Sequence, residues 1–173
     1  MDFQNTWIKY GIYYGLVSVI VLLFSFYITP LGLGLQMLLG LATMITLFVL
    51  AGREQKNKNM GVLSYGEALK TTFLCGFVGA VISGLFMMIL TNFFDPSLID
   101  ILKEQGIEAA KSMMEMFGAP EDTISEALEK AETDMEGKFS PINQILSIFQ
   151  SALFVLIIAA IVSIFLKKDE AIA

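Results

Sequence analysis

Side chains able to do acid, base or nucleophilic chemistry are scarce and unevenly placed in this sequence. Histidine is absent, which removes the commonest general base and metal ligand and, with it, the Ser/His/Asp and Cys/His arrangements. The one cysteine, Cys75, lies in a long apolar run, where a thiol acts as a small buried hydrophobe. A single cysteine forms no internal disulfide and gives no reading of redox compartment. Carboxylates gather elsewhere: Glu121, Asp122, Glu126, Glu129, Glu132 and Glu136 could collect divalent cations. Their order lacks the D-x-D-x-D-G pattern of a calcium loop, and a solvated helix face accounts for them. No glycine-rich phosphate loop, paired cysteine or basic–aromatic patch is present. No cofactor and no nucleic-acid partner is therefore expected.

Charge is missing altogether from three stretches: between Lys9 and Arg53, between Lys70 and Asp95, and between Lys138 and Lys167. An ionisable group inside lipid marks function by default, because burying its charge is costly. These stretches offer only Gln36, Asn92, Gln144, Gln150 and scattered Ser and Thr. Such groups suit hydrogen bonds between helices, each worth about 1 kcal/mol or less. The other reading is a polar path along Gln36, Asn92 and Gln150. A proton relay or charge-coupled pump would lack its ionisable group, and an enzyme could draw acids and bases only from the membrane edges.

The elements that hold these residues follow from hydropathy. Hydrophobic residues make up 55% of the 173 positions, with a mean hydropathy of +0.70, above the roughly 45–50% of soluble domains. Four apolar runs, about 10–28, 33–51, 71–94 and 142–166, approach or exceed the ~20 residues that cross a bilayer as helix. They predict an all-α integral membrane protein, a single membrane domain over residues 1–173. Trp7, Tyr10, Tyr13 and Tyr14 fit an interfacial aromatic belt. The first residues, with Asp2 and only Lys9 as a basic group, do not read as a cleaved signal. Thr29-Pro30-Leu31-Gly32 allows a tight reversal into the second span, for which Gly52 is the expected C-cap.

The third helix begins in water. Ser64 and Glu67 match the S-x-x-E capping box, with Leu63 and Ala68 placed for a hydrophobic staple. It enters the membrane near Thr71, and Asp95-Pro96 ends it. Residues of about 95–140 then form an acidic, amphipathic helical insert between the third and fourth spans. Asp95-Pro96 can start its first helix with proline at the first position. Gly118-Ala119-Pro120 divides it, Gly137 closes it, and Ser140-Pro141 opens the last span, stopped by Lys167 and Lys168.

Small residues stripe the third helix: Gly76, Ala80 and Gly84 lie four apart, with Gly79 and Ser83 beside them. Gly11 and Gly15 offer a counterpart in the first span. Spacing of this kind admits a close neighbouring backbone, either inside one bundle or across a homo-oligomer seam. Orientation follows from basic residues. Lys9, Arg53, Lys56, Lys58, Lys70, Lys167 and Lys168 fall on one side; Lys103, Lys111, Lys130 and Lys138 fall in the insert. Both termini are thus expected in the cytoplasm and the insert outside, in the periplasm or extracellular space. The insert also offers Met113, Met114, Met116 and Phe117 as an adaptable contact cluster.

The layout resembles a Bacteroidota family of short multi-pass membrane proteins, domain of unknown function family 4199. The likeness rests on the aromatic–glycine first span (Trp7, Tyr10, Gly11, Gly15), the basic loop, the SYGEALKTTF entry and the glycine-rich third span ending in Asn-Phe-Phe-Asp-Pro. The Met-rich acidic insert and the lysine-stopped last span complete it. The resemblance covers nearly the whole chain and implies no activity, cofactor or catalytic residue. Together these features point to a bacterial inner-membrane protein in contact with the lipid bilayer. A non-enzymatic scaffold or accessory subunit is expected, with a membrane-protein partner or its own copies as company. A small transport or channel component is the alternative, and a lipid-modifying enzyme comes third.

Overall fold

The computed structural model describes residues 5–28 and 32–168. Six helices follow in order: α1 (Thr6–Tyr27), α2 (Leu33–Lys58), α3 (Tyr65–Ile89), α4 (Leu98–Met116), α5 (Glu121–Lys138) and α6 (Pro141–Leu166). A π-helical turn, Leu90–Phe94, prolongs α3. No strand occurs among the described residues beyond a single bridge, Leu63 to Lys168. Among the described residues, four helices are long and apolar enough to cross a membrane: Thr6–Tyr27, Gly34–Lys58, Tyr65–Phe94 and Pro141–Leu166. The chain is an all-α membrane protein with a helical insert between its third and fourth spans. Large apolar side chains stay exposed along the spans, among them Ile20, Leu38, Leu153 and Phe165. Water would penalise such surfaces; lipid does not. The reversal expected at Thr29-Pro30 lies outside the described residues.

The chain divides into two compact units, Met1–Gly84 with Ile148–Ala173, and Leu85–Ser147. In the first, the buried residues recur at helical spacing. Met44, Phe48 and Ala51 come from α2, Ala68 and Cys75 from α3, and Val155, Ala159, Val162 and Leu166 from α6. Bilayers supply no hydrophobic force between helices, so close packing and hydrogen bonds must hold them. The glycines supply the close packing. A Cβ at Gly11 would lie 2.7 Å from Val78, one at Gly15 2.7 Å from Ile82, and one at Gly79 2.0 Å from the Tyr14 ring. Side chains of α3 thus fill notches in α1, and Tyr14 of α1 fills a notch in α3. On its other flank, Gly76 receives Val155 and Phe48, and Gly84 receives Ile148.

Hydrogen bonds add to this. Gln36 Nε2 donates to the buried Ser25 Oγ at 2.6 Å, tying α2 to α1. Thr72 and Ser163 hydroxyls meet at 3.1 Å, both fully buried, between α3 and α6.

Gly52 does not cap α2. The helix runs on to Lys58, and Gly52 sits inside it where a Cβ would meet Leu166 at 2.3 Å. Absence of a side chain there serves close approach, not termination. The end comes where Gly61 N–H reaches back to Lys56 O at 2.9 Å, with Met60 in the left-handed region (φ 54°). Lys56 and Lys58 in the last turn complement the helix dipole. Two expected boundaries in the insert also shift. Pro96 lies in the turn before α4, which begins at Leu98, and α5 passes Gly137 to end at Lys138.

In the second unit α4 and α5 form a helical hairpin. A Schellman closure ends α4: Ala119 N–H bonds Met114 O and Gly118 N–H bonds Glu115 O, both at 3.0 Å, with Gly118 at φ 71°. Gly106 of α4 lies against Met135 of α5.

The same Gly→Ala change should act oppositely at two sites. Gly79→Ala forces the Tyr14 ring aside and should destabilise the detergent-solubilised protein by about 1–3 kcal/mol. Gly40→Ala, with nothing within 4 Å, should stabilise α2 by about 0.5–1 kcal/mol. Thermal unfolding of both variants checks the pair.

Candidate functional site

Polar side chains come together at three places. The first is one end of the first unit, where α1 and α3 begin and α2 and α6 end. Glu54, one turn past the apolar run of α2, is its hub. Lys9 Nζ donates to Glu54 Oε2 at 2.6 Å, Tyr10 OH donates to the same oxygen at 3.0 Å, and Lys58 Nζ lies 3.3 Å from Oε1. Lys58 also donates to the buried Thr6 Oγ1 at 3.0 Å. On another face of α2, Lys56 Nζ donates to the Leu166 carbonyl at 3.2 Å. Leu63 and Lys168 exchange both backbone hydrogen bonds, at 3.0 and 2.9 Å, fastening the end of α6 to the start of α3.

The start of α3 belongs to the same end. Glu67 N–H donates to Ser64 Oγ at 3.3 Å and Ser64 N–H to Glu67 Oε2 at 3.2 Å, the reciprocal pair of a capping box. Leu63 and Ala68, at the staple positions, are fully buried. This arrangement fixes where α3 starts.

The second place is the π turn. Asp95 N–H bonds Leu90 O at 2.7 Å, five residues back, so one extra residue is accommodated before the helix ends. Thr91, fully buried, donates to Met87 O at 2.9 Å and accepts from Gln144 Nε2 and Asn92 Nδ2, each at 3.2 Å. Gln144 also donates to Phe139 O at 2.7 Å. Asn92 gives its amide to its own helix as well, through Met88 O at 2.9 Å. Gln36 is engaged with Ser25 across the first hairpin, and Gln150 lies exposed on α6. The three residues of the expected polar path thus have separate settings, two of them in structural hydrogen bonds.

The glycines of the seam face neighbours within the chain, as described above. Ala80 is half-buried, and Ser83 returns its hydroxyl to Gly79 O at 3.0 Å.

The third place is the α4–α5 hairpin. Twelve carboxylates and four lysines fall between Asp95 and Ser140, a net charge of −8. Among the described residues no three Asp, Glu or Cys side chains converge as a metal-holding group. Glu121, Asp122, Glu126, Glu129 and Glu132 are described; the Glu136 side chain lies outside the described residues. Met113, Met116 and Phe117 are 61%, 82% and 81% exposed.

Reading the sequence missed Glu54 and the π turn. The i,i+4 spacing of Glu54 and Lys58 was a usable signal, but Lys9 lies 45 residues away and no local pattern joins the two. The π turn has no composition of its own.

Removing the hub should loosen this end. Glu54→Gln is expected to cost roughly 1 kcal/mol or less at pH 7, since the group is partly solvated and screened. A small drop in the unfolding temperature of the detergent-solubilised Glu54→Gln variant against wild type at pH 7 checks this.

No curated protein and no solved structure matches the chain significantly. The model of the family described as "Protein of unknown function (DUF4199)" matches residues 9–168, and with its four spans, capped third helix and acidic insert the chain belongs to that family.

Proposed function

We propose that this protein is a non-enzymatic scaffold or accessory subunit of a bacterial inner membrane, acting through its acidic external hairpin. One observation carries the reading. The glycines, Gln36 and Asn92 serve the chain's own packing, whereas the hairpin leaves large apolar side chains uncovered. Gly11, Gly15, Gly76, Gly79 and Gly84 each take a side chain of the same chain, which leaves them unavailable as a homo-oligomer seam. Glu54 and Glu67 serve an ion-pair hub and a helix cap. Met113, Met116 and Phe117 remain exposed. The rival reading, a small transport or channel component, draws less support, because Gln36 and Asn92 already have partners.

Both termini and the Arg53–Lys70 segment are placed in the cytoplasm, and the hairpin outside it, by the positive-inside bias. The basic residues outside the insert that belong to described helix ends meet at the one end held by Glu54, Lys56 and the Leu63–Lys168 bridge.

Two measurements test this. A thiol introduced by Ser125→Cys should react with a membrane-impermeant maleimide in intact cells; reaction only after lysis would reverse the orientation. Solubilised gently from native membranes, the protein should migrate as a complex with a second membrane protein at fixed stoichiometry. A homogeneous monomer, or solute flux across liposomes containing the purified chain alone, would sink the scaffold reading.

A further inference from the structure

α6 turns one side to the core of the first unit and the other to lipid. Val155, Ala159, Val162 and Leu166 are buried in that core. Gln150, nine residues before Ala159, projects roughly 180° away from it and is exposed. Leu153, Ile157 and Ile164 share its side of the helix, 68%, 58% and 55% exposed.

A carboxamide is out of place on that side. α6 has 26 residues, roughly 39 Å of helix. Centred on ~30 Å of hydrocarbon, it holds Gln150 about 9 Å inside the nearer edge, and glutamine lacks the long stem with which Lys or Arg reaches headgroups. The other polar side chains of the helix are bonded within the chain. Asn143 donates to Gly137 O and Gln144 to Phe139 O, while Ser147, Ser151 and Ser163 return their hydroxyls to Asn143 O, Ile148 O and Ala159 O. Gln150 alone has no hydrogen-bond partner among the described residues. Acyl chains neither donate nor accept, so lipid is a poor cover for it.

The residues around the amide say what fits. Gln150, Ile157 and Ile164 recur every seven residues, with Leu153 and Ala160 each three further on. β-Branched residues and leucine in these two positions favour parallel helix pairs, and one polar group in the first position fixes register and copy number. A carboxamide carries donor and acceptor together, so two of them facing one another close a reciprocal pair. A second copy inserted the same way brings its own Gln150 to the same depth about a two-fold axis. Any other protein would need a matching amide at that level.

We propose that the lipid-facing side of α6, Gln150 with Leu153, Ile157 and Ile164, is the seam of a parallel homodimer in which the two Gln150 side chains hydrogen-bond to each other. The seam lies within a span and does not rest on the scaffold reading.

The test is oxidative cross-linking of full-length single-site variants in native membranes. Wild type, whose Cys75 thiol is fully buried, sets the background. Leu153→Cys should give a disulfide between two copies, identified by mass spectrometry, well above that given by Leu156→Cys on the flank of the helix. Adding Gln150→Leu should lower the Leu153→Cys yield at least about fivefold. Because Gln150 touches lipid and not the core, this change leaves the fold intact. Gln150→Asn, which keeps the amide, should hold the yield within about twofold. No disulfide between copies, one to a different protein, equal yields at Leu153→Cys and Leu156→Cys, or a yield indifferent to Gln150→Leu overturns the proposal.

Discussion

Close approach of α3 to its neighbours is the constraint on which the rest of the first unit depends. Lipid tails are as apolar as leucine, so helices gain nothing by hiding hydrocarbon from them. What remains is contact area at short range, and side-chain bulk sets that range. By lacking a Cβ at Gly76, Gly79 and Gly84, α3 lets Val155, Tyr14 and Ile148 sit where its own side chains would otherwise stand. α1 answers at Gly11 and Gly15, and α2 meets α6 at Gly52. Glycine lowers helix propensity by about 1 kcal/mol, yet in hydrocarbon the backbone has no alternative to its own hydrogen bonds. The weakness that would matter in water is thereby reduced, and the packing gain is retained.

Where the helices leave the hydrocarbon, other interactions take over. The Glu54 hub, the Lys56 bond to the Leu166 carbonyl and the Leu63–Lys168 bridge join all four helix ends of the first unit. Each acts on groups that would otherwise be unpaired near an interface: a carboxylate, a terminal helix carbonyl, and backbone donors and acceptors of two chain segments. The capping box does the same for α3. These bonds set the level of the helix ends, and through them the register at which glycine notches meet the side chains that fill them.

The fold was legible to the extent that it is written in local chemistry. Uncharged runs of sufficient length give spans, because no other solvent tolerates them. Ser64 and Glu67 give the start of α3, since both partners of the cap lie within one turn. Gly52 misled for a physical reason: a glycine before a polar run resembles a C-cap, but here a leucine 114 residues further on is what requires it. The small-residue stripe showed that something must approach α3, and only the structure showed that the visitors are Tyr14, Phe48, Val155 and Ile148 of the same chain. Glu54 was hidden by sequence distance from Lys9, and the π turn by having no sequence signature. Long-range pairing, not propensity, is what the sequence alone withheld.

The insert follows different physics from the spans, and the contrast bears on function. A two-helix hairpin of about 40 residues, lying near the size below which domains usually need staples or a partner, buries few side chains. Leu98 and Ile124 are its buried apolar residues on α4 and α5. Its net charge of −8 works against compaction through self-repulsion, and the glycine–methionine contact at Gly106 and Met135 is modest compensation. A sequence shaped only to close this hairpin would place polar groups where Met113, Met116 and Phe117 stand, since each exposes apolar surface without gain.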